Sequence, residues 1–279
     1  MESERIARVM GIVNVTPDSF SDGGKYFRPE EAVRRALNLI DEGADIIDIG
    51  AESTRPGSVP ISWEEEWSRL EPVLKGLSPR CVTVQLDENE RANSLQKNNS
   101  ANKKGKFSVA SEGSVPINVP ISVDTYHPET AMLAVEAGVG IINCVYPEPV
   151  EEMLAILREK PHVELVMPVS AFGMVSEDLV SRIYIDPMIG FGTTRDEDLE
   201  LLRSVPEFAK KARVLVGASR KRLVKKLTGE KVTGKNLGGN LGIAVWAAMN
   251  GASVVRVHDV RETFQALKVI GAICGRIYG

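Results

Sequence analysis

The chain has 279 residues, 43% hydrophobic and 26% charged, the mix of an ordinary globular protein near the upper size that one hydrophobic core supports. No stretch approaches the roughly 18 uninterrupted apolar residues of a membrane span, so transmembrane, collagen-like and wholly disordered chains are excluded. A formal charge of −4 gives no reason to expect nucleic acid or an anionic membrane as partner, and an anionic substrate would have to be held by local basic groups. The start, Met-Glu-Ser-Glu-Arg, is charged and runs straight into an apolar segment without a leader-like stretch, which predicts a cytoplasmic protein. Cys81, Cys144 and Cys274 are widely spaced, without metal or redox spacing, and read as reduced thiols.

Along the chain, short β-rich runs alternate with longer segments of helical period. Strands are predicted over 7–13, 45–50, 119–124, 140–145, 163–168, 182–186, 213–217 and 252–257. Helices are predicted over 29–43, 63–76, 128–138, 149–159, 196–204, 220–228, 236–250 and 260–274. Pro29 and Pro128 suit first turns, and Gly43 and Gly138 suit stops. Repeated βα units in this number predict an α/β chain folded as one (β/α)₈ TIM barrel over 1–279. Residues 82–116, rich in Asn, Ser and Lys, read as a polar surface insertion before strand 3 with no function assigned, its basic run (Lys97, Lys103, Lys104, Lys106) being solvated. Residues 169–181, between strands 5 and 6, are too few for a full helix.

Barrel enzymes carry their active sites at the carboxyl ends of the strands, and here polar residues follow nearly every strand. In order they are Asn14, Asp18 and Asp22; Glu52, Thr54 and Arg55; Asp124 and Thr125; Asn143; Asp186; Ser219, Arg220 and Lys221; and Arg256, His258 and Asp259. Singly, Asn14 or Asp18 could form turns, Asp124 and Asp186 could cap helices, and His258 could be a structural histidine. Together, Arg, Lys and His converging with amide and carboxylate groups make a site for a polyanionic group beside a hydrogen-bonding heterocycle.

The segments NVTPDSFSDGG, GAESTRPG, ISVDTYHPETA, GIIN, IDPMIGFG, GASRK and RVHDVRET, in this order and on these strands, resemble the dihydropteroate synthases of folate biosynthesis. The resemblance covers nearly all of the chain outside the insertion. It implies a Mg²⁺-dependent transferase that joins 6-hydroxymethyl-7,8-dihydropterin diphosphate to p-aminobenzoate, or a derivative of it, and releases pyrophosphate. By the same resemblance, Asn14 would bind Mg²⁺ and, with Thr54, Arg55, Arg256 and His258, the pyrophosphate. Asp124, Asn143, Asp186 and Lys221 would hold the pterin, with Lys221, Arg55 and Asp186 carrying the chemistry. Thr54, Pro56, Phe191 and Ser219 would form the p-aminobenzoate subsite. Two other readings are a barrel resembling pterin-binding methyltransferases that use methyltetrahydrofolate, and a catalytically silent pterin-binding protein. Partners would be small molecules, with a homodimer through late barrel helices as the family precedent.

Four positions depart from the family pattern. Cys144 stands where Asp is usual, which predicts the loss of a polar contact beside the pterin. Thr193 replaces a lysine, removing a cation near the site. Met167-Pro168-Val169-Ser170 replaces a Met-His-Met segment, and the helix after strand 5 is cut down, which would alter a subunit contact.

Overall fold

The computed structural model describes residues 6–16, 28–52, 59–77, 117–232 and 234–276. The 82–116 insertion, Asp18, Asp22, Thr54, Arg55, Pro56 and Cys81 therefore lie outside the described residues. Eight parallel strands close on themselves in chain order: β1 Arg8–Asn14, β2 Ile46–Gly50, β3 Ile121–Asp124, β4 Ile141–Asn143, β5 Glu164–Pro168, β6 Ile183–Asp186, β7 Arg213–Val216 and β8 Val254–Val257. Between and after them run α1 Pro29–Asp41, α2 Trp63–Leu77, α3 Pro128–Glu136, α4 Val150–Glu159, α5 Arg195–Arg203, α6 Val205–Ala209, α7 Arg222–Thr228, α8 Leu237–Met249 and α9 Val260–Ile273. This is a TIM barrel, and every predicted strand and helix is present within a few residues.

Local chemistry sets the helix ends. Pro29 and Pro128 open α1 and α3, where a missing N–H costs nothing. A reciprocal Thr194–Glu197 capping box starts α5. Two 3₁₀ turns, Val169–Met174 and Glu177–Arg182, fill the short connection between β5 and β6. The short helix α6 was not expected. It starts where Pro206 breaks the continuity of α5.

Because side chains alternate along each strand, two cores form. Outward residues pack against the helices, while Met10, Ile46, Ile141, Val166, Tyr184, Leu215 and Val254 fill the barrel itself as a separate inner layer. Below that layer Arg213 donates to Glu164 (2.6 Å) and to the Tyr184 hydroxyl (2.8 Å), which is also bonded by Arg8. Above it the same alternation turns Asp48, Ser122, Asn143 and Asp186, all buried, toward the carboxyl ends of the strands. The apolar floor therefore leaves those polar groups in a poorly solvated pit, where their interactions are stronger than in water. Among the described residues no helix is long and apolar enough to cross a membrane.

Candidate active site

Arg256, on β8, ties the pit together. Its Nε donates to Asp48 Oδ2 (2.6 Å) and its Nη2 to Asp124 Oδ2 (2.5 Å), so one side chain spans from β8 to β2 and β3. Asn143 donates its Nδ2 to the same Asp48 oxygen (3.2 Å), leaving its Oδ1 buried without a partner. Room for Asp124 comes from β2: a Cβ on Gly50 would lie 3.2 Å from the Asp124 Cβ.

Asp186, at the end of β6, accepts a hydrogen bond from the Met188 backbone N–H (2.7 Å). The following loop passes through left-handed backbone at Met188 (φ 64°) and Gly190 (φ 80°). Such a conformation costs a non-glycine residue about 1–2 kcal/mol. Here it turns the Ile189 carbonyl toward Lys221, whose Nζ donates to it at 2.6 Å. The ammonium also sits 4.4 Å from the centre of the Phe191 ring. Lys221 faces this way because its neighbour is pinned elsewhere. Arg220, itself left-handed at φ 59°, donates to Asp259 (2.5 Å), while its backbone N–H bonds Asn240 (3.1 Å).

The electrostatics follow from three carboxylates and two cations sharing a poorly solvated space. Burial pushes the Asp124 carboxyl up to about 7, with Arg256 opposing and Asp48 reinforcing the rise. Burial raises Asp186 too, against the pull of Lys221. The Lys221 ammonium is drawn down to about 8 by burial, Asp186 being the chief charge that holds it up. Asp124 and Lys221 are therefore poised near neutrality, which is a recurring property of reactive sites.

Asp124, Asn143, Asp186, Lys221 and Arg256 thus meet in one place. Ser219 and His258 pair on the rim (Oγ to Nδ1, 3.2 Å), and the His258 carbonyl accepts from Arg35 (3.1 Å). Asn14 ends β1, in register with Gly50, beside the pit. Helix capping by Asp124 is not seen: α3 starts at His127–Pro128 without a side-chain cap. Thr54, Arg55 and Pro56 lie outside the described residues. Glu52, which follows β2, accepts from the Tyr126 hydroxyl (2.9 Å).

Two expectations are corrected. The Cys144 side chain does not enter the pit. It follows the inward Asn143, so it points outward into the apolar layer with Ala131, Val135, Met153 and Leu154. Its thiol donates to the Tyr146 carbonyl (3.2 Å), and burial pushes its pKa up to about 12. No polar contact in the pit is lost with it. Thr193 acts as a loop staple, accepting from the Gly190 N–H (3.1 Å) and donating to Asp198 (2.5 Å). A cation still reaches this position, since Arg222 donates to the Thr193 carbonyl (2.6 Å).

Sequence reading missed Asp48, counted within an apolar strand. The available signal was its placement, two residues from Ile46 and Gly50 on the inward face. It also missed Glu66, buried on α2 and bonded by the Thr125 hydroxyl (2.6 Å), which holds the turn after Asp124.

Residues 10–92 and 169–258 match the family of pterin binding enzymes, which gives the class to which this barrel and its pit correspond. The dihydropteroate synthase of Neisseria meningitidis serogroup C is 35% identical over 282 residues, spanning 95% of this chain and 92% of the relative. That of Mycobacterium leprae is 34% identical, spanning 95% and 93%. The solved dihydropteroate synthase of Xanthomonas albilineans with 4-aminobenzoic acid superposes with a TM-score of 0.75 at 33% identity, covering 98% of this chain and 95% of that one. A complex of the Xanthomonas albilineans enzyme with 7,8-dihydropteroate gives 0.70 at 32% identity, with the same coverage of 98% and 95%. The chain belongs to the dihydropteroate synthase family.

Proposed function

We propose that this barrel condenses 6-hydroxymethyl-7,8-dihydropterin diphosphate with p-aminobenzoate in folate biosynthesis, giving dihydropteroate and pyrophosphate. The observation that carries the reading is the pit itself: oxygens of the buried Asn143 and Asp186 and the half-buried Asp124 gathered with the half-buried Lys221 and Arg256 in one place. A pterin's amino-pyrimidinone edge presents N–H donors that such carboxylates and an amide oxygen accept. Lys221 donates to the ring's acceptor side, and Arg256 and His258 face the diphosphate.

In the reaction the bond between the pterin methylene carbon and the diphosphate oxygen breaks, its electron pair leaving with pyrophosphate. The arylamine nitrogen then supplies its lone pair to the electron-poor methylene and loses a proton to solvent or to the departing pyrophosphate. No side chain need form a covalent bond. The protein orients the two partners and stabilises charge that grows on the leaving group, which favours fixed cations around it. Phe191 and Ser219, with Thr54 and Pro56, would border the arylamine, and Arg55 with Thr54 would close on the diphosphate.

Among the described residues no three acidic, His or Cys side chains form a metal cluster. The donor set fits a cation carried chiefly by the substrate, since Mg²⁺ commonly takes one or two protein oxygens and fills its other positions with phosphate and water. The Asn14 amide oxygen at the end of β1 would be such a ligand. Bound there, Mg²⁺ would neutralise charge on the diphosphate. A second copy of the chain would cover the outer face of α8 and α9, where Trp246, Met249, Val269 and Ile273 are exposed.

Purified protein supplied with Mg²⁺, the pterin diphosphate and p-aminobenzoate is expected to release pyrophosphate and form dihydropteroate in equal amounts. Tight pterin binding without turnover would instead make it a silent binding protein. Methyl transfer from methyltetrahydrofolate would place it with the methyltransferases.

A further inference from the structure

We propose that Asp48 is a positioning residue that turns the Asn143 amide oxygen, rather than its nitrogen, to the pit, and so selects a ring edge that presents donors there. The proposal rests on the pterin-binding reading of the site. Asp48 is fully buried in the middle of β2, a place where a barrel ordinarily carries an aliphatic side chain. Burying a carboxylate there is unfavourable unless its partners use it well, and as a bare stability device it would be poorly chosen.

Its partners are two residues of the pit. Asp48 Oδ2 accepts from Arg256 Nε (2.6 Å) and from Asn143 Nδ2 (3.2 Å). That oxygen takes a guanidinium N–H and so serves as an acceptor for both neighbours. Asn143 can therefore meet it only through the amide nitrogen, and the amide oxygen, which has no partner, is left toward the pit. The same oxygen holds the Nε edge of the guanidinium on β2 while Asp124 holds the Nη2 edge on β3, so Arg256 cannot rotate its donors into the space where a ring would lie. What remains facing a ligand from this trio is the acceptor Asn143 Oδ1, beside Asp124 and Asp186.

A carboxamide at position 48 would undo this arrangement. Asn can donate as well as accept, so Asn143 could turn its nitrogen inward, and Arg256 would keep one carboxylate instead of two. The change nearly preserves volume, so the effect would be on which ring edge is bound rather than on packing.

Steady-state kinetics of Asp48→Asn test this. The KM for the pterin diphosphate is expected to rise about ten- to a hundredfold, the size of a lost charge-assisted bond, while the KM for p-aminobenzoate changes less than about twofold. In an Asn143→Ala background the same substitution is expected to cost less than about threefold, because the amide it orients is gone. An unchanged pterin KM, equal effects in both backgrounds, or parallel rises for both substrates would overturn the proposal. Should Asp48→Asn not fold, a high-resolution crystal structure of the wild-type protein with pteroic acid decides. Retention of both Asp48 bonds with the ring donors on Asn143 Oδ1 is expected; an Asn143 nitrogen turned to the ligand overturns it. Wild-type protein that binds no pterin at all would defeat the functional reading, whereas wild-type binding that Asp48→Asn leaves intact defeats this proposal alone.

Discussion

Replacing Asp186 with Asn removes one charge from the pit and nearly keeps its shape, and the structure gives both the direction and the size of the outcome. Burial draws the Lys221 ammonium down to about 8, and Asp186 is the foremost of the charges resisting that pull. Without the carboxylate, burial acts with less opposition, so Lys221 loses its proton at lower pH. The variant also forfeits a charge-assisted acceptor for the pterin. One such bond to substrate, and a second weakened through Lys221, are together worth about 3–6 kcal/mol, or roughly 10²–10⁴ in kcat/KM. Initial rates of pyrophosphate release from about pH 5.5 to 9.5 give the profile. In the wild-type protein the alkaline limb is expected near the Lys221 value, about 8, and in Asp186→Asn it moves toward acid. An alkaline limb that stays in place, or a rate loss below about threefold, would refute the coupling of Asp186 to Lys221.

Other outcomes are separately measurable. Asp124, raised to about 7 from 3.8, keeps a proton in the folded chain that the unfolded chain has released. Its contribution therefore makes stability fall as pH rises across that window and level off above it, and urea titrations at several pH values should show this slope reduced in Asp124→Asn. Cys144→Asp is expected to place a charge in an apolar layer and to cost about 3–5 kcal/mol in urea denaturation. Cys144→Ala should leave pterin KM unchanged; a Cys144→Asp protein of undiminished stability would show that the thiol does not face that layer. Gly190→Ala puts a Cβ 3.1 Å from Lys221 Cδ at φ 80°. It should lower kcat/KM through a displaced Lys221 and cost about 1–2 kcal/mol of stability, both read in the same preparation.

The architecture was legible because each strand carried a β-rich run bounded by turn residues and each helix a longer segment of helical period, two of them opened by Pro29 and Pro128. The closed order β1 to β8 followed from their number. Asp124, Asp186, Lys221 and Arg256 were legible too, since each is the polar residue at a strand end or just after it. The interior of the barrel was less so. Asp48 hides in Ile46–Gly50 because a strand buried on both faces reads as one apolar run, and a single carboxylate does not change its period. Cys144 was misplaced by analogy with a neighbour: one residue along a strand reverses the face, so Asn143 enters the pit while Cys144 leaves it. Thr193 took its meaning from Gly190 and Asp198, contacts set by left-handed backbone that no local periodicity reports.

A crystal structure of the protein with 7,8-dihydropteroate tests the central claim most directly. The pteridine is expected in the barrel mouth, its donor edge on Asp124, Asn143 and Asp186 and its other side against Lys221, with the p-aminobenzoyl end running out past Phe191 and Ser219. Product bound elsewhere, for instance in the groove between α3 and α4 lined by Met132, Leu133 and Ile156, or Lys221 left without contact to the ring, would contradict it.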